Sequence, residues 1–207
     1  MKNTIIITFL LAIALSVLGC KTSNLKSNKV SKVIKKDLQD SLAFELCQLY
    51  GSDQGLRETM KLNGALDTLN FIKLVKFVKE NGYPNIKLVG EKNAKHECVL
   101  STAGAILLHN YWRLAKEDEH FYLFQNEVKK GRMSGKAFAN VLDKYYYANS
   151  KNKKNRRVFY GSDWGKPCIQ TKEATNKARI EIGLIPLEDK DFVDCGNEEV
   201  KMPKART

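Results

Sequence analysis

Between residues 30 and 49 the apolar side chains Val30, Val33, Ile34, Leu38, Leu42, Leu46 and Leu49 recur every three or four positions, with Lys, Asp and Gln between them. That spacing draws one apolar stripe along an α-helix of 3.6 residues per turn, which the two-residue alternation of a strand cannot do. The same period returns at Leu69, Ile72, Leu74, Val75 and Val78, at Val99, Ala103, Ile106, Leu107 and Leu108, and at Phe138, Val141, Leu142 and Tyr145. Helices that each bury one stripe must pack on one another. The expected fold is therefore all-α: a single compact domain of six to seven helices with at most one short strand pair. No repeat of fixed period appears.

Local signals set the expected boundaries. Gly51-Ser52-Asp53 reads as a break, with Ser52 or Asp53 capping a short helix to Lys61 and Asn63-Gly64 closing that turn. Asp67 is the expected cap of a third helix, which Asn81-Gly82-Tyr83-Pro84 ends. Residues 86–89 read as an extended turn or one strand, and residues 94–114 as the most apolar helix. Further helices are expected over 118–130, from the cap Ser134, and from the cap Thr171 to Ile182. The tail from Asp189 is polar and expected to be mobile.

The N-terminus carries Lys2, an apolar run over 5–18, then Val17-Leu18-Gly19-Cys20. A positive start, a short apolar segment and small residues before a cysteine resemble a bacterial lipoprotein signal with its lipobox. The resemblance implies cleavage after Gly19 and acyl chains on Cys20, which would attach the protein to a membrane. The run is shorter than the roughly 20 residues a spanning helix needs. The expected organisation is a signal over 1–19, lipidated Cys20 with a solvated tether over 20–31, a helical domain over 32–188 and the tail over 189–207. Lys21 stands where the inner-membrane retention signal resembles an Asp, which favours the outer membrane in a Gram-negative cell.

The formal charge of +12 comes mainly from scattered Lys. A basic surface can neutralise phosphates, but an exported lipoprotein rarely meets nucleic acid, so no nucleic acid partner is expected. An anionic envelope polymer or an acidic protein is the expected counter-charge. Beyond Cys20, Cys47, Cys98, Cys168 and Cys195 allow three disulfide pairings. Cys47 and Cys98 lie in apolar helical patterns and read equally well as buried thiols. Cys168 and Cys195, in Pro- and Gly-flanked segments, are the better candidates for a bridge pinning the C-terminal tail. No pair has C-x-x-C spacing, so no metal is expected, and no motif points to a cofactor.

Three groups of residues carry candidate chemistry. Asp53, Gln54 and Arg57 come first, because a helix puts Asp53 and Arg57 on one face; the plainer reading is a cap with a surface ion pair worth at most about 1 kcal/mol. His109 ends an apolar run and reads either as a general base or as a buried structural histidine. The loop Tyr160-Gly161-Ser162-Asp163-Trp164-Gly165-Lys166-Pro167 offers stacking and hydrogen bonds to a ligand, or a turn whose Trp164 fills the core edge. His96-Glu97-Cys98 lacks the i, i+4 histidine pair of a zinc helix, His120 reads as solvent-exposed, and the basic run over 151–157 as a solvated connector.

In chain order these marks are Asp53-Gln54-x-x-Arg57, Asp67 with Asn70, Asn81-Gly82-Tyr83-Pro84, Val89-Gly90, His109, Asp143-Lys144, Tyr160-Gly161-Ser162-Asp163 and Gly183-Leu184-Ile185-Pro186-Leu187. Together they resemble an uncharacterised bacterial family, a domain of unknown function found in cytoplasmic and exported proteins, over roughly residues 38–187. The chain departs from that family's pattern at Leu108, where Gln is usual before the His, at Lys144 in place of Arg, and at Ser162-Asp163 in place of Thr-Gln. The resemblance implies a shared polar cleft, without an established activity. The leading expectation is a membrane-anchored envelope lipoprotein binding a ligand or partner through Asp53, Gln54, Arg57, His109, Tyr160, Ser162, Asp163 and Trp164. The alternatives are a hydrolase-like enzyme, with catalytic candidates His109, Asp53, Arg57 and Tyr160, and an immunity-type protein that binds an acidic partner.

Overall fold

The computed structural model of the chain describes residues 20–58, 63–198 and 201–204. The expected leader over 1–19 lies outside them, as do residues 59–62, on which the end of the expected short helix falls. Helix α1 is Cys20–Glu58. The stretch expected as a solvated tether is therefore helical from Cys20 onward, and Gly51-Ser52-Asp53 does not break the helix. Glycine inside a helix costs about 1 kcal/mol against alanine, and packing of the surrounding turns overrides a cost of that size. Here Leu46 and Leu49 are buried, and Asp53 continues their stripe one turn further, 2% exposed.

The chain divides into two units, Met1–Leu42 and Ala43–Thr207. In the first, Val33, Ile34 and Leu38 of the helical stripe are exposed. In the second, α2 (Gly64–Asn81) starts from Asn63, whose side chain accepts from the backbone N–H groups of Ala65 and Leu66. Asn63 takes the capping role expected of Asp67 and leaves the Asp67 carboxylate available in the first turn. Helix α2 ends at Gly82, whose φ of +89° favours glycine. The segment over 86–89 is helical rather than extended: α3 (Ile86–Val89) is one turn, capped by Asn85.

The most apolar helix is split at Asn110 into α4 (Glu97–His109) and α5 (Tyr111–Lys116). The Asn110 amide donates to Ile106 O and to Asp67 O, each at 3.1 Å, and so ties the break to α2. Next come α6 (Asp118–Lys129), α7 (Gly135–Ala148) and α8 (Lys172–Glu181). The described residues thus form eight helices, with two isolated β-bridges, Val158 to Pro167 and Cys168 to Val193, and an all-α fold. Helix α7 packs on α4, α5 and α6, and α2 packs on α4. Phe71, Phe77, Ile106, Leu107, Phe124 and Phe138 fill the core between them.

The tail is ordered through residue 198, against expectation. Phe192 is buried, Val193 N donates to Pro167 O at 3.0 Å, a disulfide joins Cys168 to Cys195, and Arg157 pairs with Glu198. A second disulfide, Cys47 to Cys98 with Cα atoms 4.7 Å apart, joins α1 to α4, so these two are bridged and not core thiols.

Helices α7 and α8 meet through backbone: a Cβ on Gly135 would lie 2.0 Å from Ile182 O. Alanine in a helix normally gains about 1 kcal/mol over glycine. Gly135→Ala is instead expected to destabilise the domain by about 2 kcal/mol, because α8 must shift to admit the methyl group. Urea unfolding with an unchanged or higher midpoint would contradict this close approach.

Candidate functional site

The polar end of the α1 stripe meets the end of α4. Asp53 is carried by α1 and His109 is the last residue of α4, and the two helices are clamped by the Cys47–Cys98 bridge and by Thr102 Oγ1 donating to Leu46 O at 3.0 Å. His109 Nδ1 lies 2.8 Å from Asp53 Oδ2 and 3.1 Å from Oδ1. The Asp53 side chain is wholly buried and that of His109 is 20% exposed. A carboxylate on Nδ1 holds the proton there and leaves Nε2 as the acceptor. Among the described residues Nε2 has no hydrogen-bond partner, and it is not among the buried unsatisfied atoms, so it faces solvent.

Around this dyad, Gln54 Nε2 donates to Asp53 Oδ2 at 2.7 Å, Arg57 Nε lies 3.7 Å from the same oxygen, and Arg57 Nη2 is ion-paired with Asp67 Oδ1. The expected Asp53–Arg57 pair is thus part of a larger cluster. Asp67 belongs to it too, although the sequence reads Asp67 as a helix cap; its place one turn beyond the true cap Asn63 was the available signal. Ligand atoms of Asp53, Asp67 and His109 lie within 4.8 Å of one another. The Arg57 guanidinium contacts both carboxylates and already supplies the positive charge that a metal ion would bring.

The Tyr160 loop is held from beneath. Asp143 is fully buried on α7; its Oδ1 accepts from Phe159 N at 2.9 Å and Tyr160 N at 2.7 Å, and its Oδ2 from Ser162 N at 2.8 Å. Burial pushes the Asp143 carboxyl up, against the opposing pull of those backbone donors. Thr175 Oγ1 donates to Phe159 O, and Arg179 Nη1 to Tyr160 O. Tyr160 is itself 3% exposed, its ring against Phe159 and Tyr146, so it is an interior residue. Asp163 points outward to Lys136 at 3.0 Å. Trp164 Nε1 donates to Asn140 O at 2.9 Å, and its ring lies 5.3 Å from that of Tyr147.

Lys144, which in the sequence stands out only as a departure from a family pattern, lies against Trp164 of this loop. Its Nζ lies 5.4 Å from the Tyr111 ring and 5.6 Å from the Trp164 ring. Burial first, and the Arg57 charge second, hold the Lys144 ammonium below the usual lysine range. His120 is not solvent-exposed as expected: its side chain is 16% exposed, Nε2 lies 3.0 Å from Glu117, and its ring meets Phe71 edge-on, with burial pulling its pKa down. A cavity of about 210 Å³ at Tyr146, Ser150 and Lys201 and a groove of about 850 Å³ at Ile86, Leu100 and Lys130 lie away from the dyad. No protein-family model, no curated protein and no solved structure matches this chain.

Proposed function

We propose that the chain is an acyl-anchored protein of the bacterial envelope, attached through Cys20, whose helical domain binds a polar ligand at Asp53, Gln54, Arg57 and His109. The observation that carries the ligand site is the wholly buried Asp53 carboxylate 2.8 Å from His109 Nδ1, with Nε2 turned to solvent. Burying a carboxylate costs several kcal/mol unless it is paired, and a purely structural stripe position would be occupied by Leu at no such cost. The order of marks from Asp53 to Leu187 supports the same reading, since Asp53, Arg57, Asp67 and His109 meet although they come from three helices. Anchoring is supported by the signal-like residues 1–19 and the small residues before Cys20.

The fixed tautomer favours a hydrolytic second reading. A His whose Nδ1 proton is held by a carboxylate is a general base at Nε2, and Arg57 stands beside it to hold developing negative charge. One experiment addresses both. The detergent-purified chain is screened by thermal shift against a panel of small polar metabolites and chromogenic esters, and compared with His109→Ala. A stabilising compound is expected whose effect falls at least tenfold in apparent affinity in the variant, and turnover of an ester lost with it would select the hydrolase. Hits that stabilise both forms equally would remove His109 from the site. Intact-mass measurement of the native product tests the anchor: the leader retained and no acyl chains attached would refute it.

A further inference from the structure

A half-buried lysine ordinarily has an acidic partner, because taking the ammonium out of water has to be offset by an opposite charge. Lys144 has none among the described residues: its neighbours are the faces of Tyr111 and Trp164, and the charge of Arg57 acts on it unfavourably from a distance. Arg57 is turned toward Asp53 and Asp67, so those carboxylates are already engaged by a guanidinium. The fold holds the position firmly. Tyr111 lies just beyond the Asn110 break after His109, Lys144 follows the buried anchor Asp143, and Trp164 is fixed by its bond to Asn140 O. Lys144 is therefore a cation held between two aromatic rings, with no protein acid against it among the described residues.

We infer that Lys144, between Tyr111 and Trp164, receives the anionic oxygens of the ligand, a phosphate or carboxylate group. The missing counter-charge is then the ligand's own. The two aromatic faces steer the ammonium by cation–π attraction without neutralising it, which leaves its charge available to an anion. A charge-assisted hydrogen bond from a lysine ammonium to an anionic oxygen is of the strong kind. The inference rests on the polar-ligand reading of the Asp53–His109 site and assigns that ligand its chemical class.

The test uses the detergent-purified full chain and two probes, inorganic phosphate and acetate, against chloride at matched ionic strength, with thermal shift as the readout. Wild type is expected to gain several degrees from one of them, the more effective probe naming the phosphoryl or the carboxylate source. Lys144→Met, which keeps an apolar stem beneath the rings, is expected to melt no lower than wild type in chloride and to lose at least tenfold in apparent affinity for the probe. Lys144→Arg is expected to keep most of it. Equal responses in wild type and Lys144→Met, or no response to either probe in wild type, would overturn the anion site. His109→Ala separates the two readings: an anion response kept in that variant and lost in Lys144→Met leaves this site standing even if the dyad binds nothing.

Discussion

Asp143→Ala is expected to cost the domain about 4 kcal/mol, enough to leave a marginal domain largely unfolded at physiological temperature. Three backbone N–H groups, of Phe159, Tyr160 and Ser162, end on this one carboxylate at 2.7 to 2.9 Å. Each buried donor left without an acceptor costs about 1–3 kcal/mol. Part of that is returned because the variant no longer buries a charge, which places the net in the lower part of the summed range. The change spreads, since the loop's carbonyls hold Thr175 and Arg179 of α8. Asp143→Asn retains one carbonyl oxygen and turns an amide toward a backbone donor, so it should fall between wild type and Ala. Urea unfolding followed by Trp fluorescence reads both variants. An Ala variant within 1 kcal/mol of wild type would mean that water or a rearranged loop satisfies those donors.

The helical class was legible because stripes at 3.6-residue spacing survive in any packing arrangement. What was not legible is how each stripe ends. Gly51 reads as a breaker in isolation, yet Leu46, Leu49 and Asp53 lie on one buried face and carry the helix through it. Asn63 and Asp67 both have capping side chains, and local sequence does not say which of them the chain uses. The Asn110 break depends on a bond to Asp67 O in another helix, a contact with no local signature. For the site, Asp53, Arg57 and His109 were readable as residues of the right chemistry, and the structure brings them together. Tyr160 stands in a loop that reads as functional, but the loop's polarity serves Asp143 and Arg179 from within. Asp67 and Lys144 carry no local mark of a site, because a cap and a solvated lysine are the commoner uses of those residues.

Removing the Cys47–Cys98 bridge by the double change to serine is expected to destabilise the domain by about 4 kcal/mol and to disorder the dyad before the domain unfolds. The loop it closes spans 51 residues, against 27 for Cys168–Cys195. Loop-closure entropy rises only with the logarithm of length, so the two bridges differ by about half a kcal/mol in that account. Their positions distinguish them. Cys47 lies less than two helical turns before Asp53, and Cys98 opens the helix that His109 ends, so the first bridge sets the register of the two helices that form the site. The second fixes a tail that makes no contact with Asp53 or His109 among the hydrogen bonds described. A His109 Nδ1 proton held by a carboxylate gives a downfield NMR signal, expected to weaken in Cys47→Ser/Cys98→Ser under native conditions and to persist in Cys168→Ser/Cys195→Ser. An unchanged signal in the first variant would show that Thr102 and the helix packing alone align α1 with α4. A loss in the second would show that the tail reaches the site through contacts with α7.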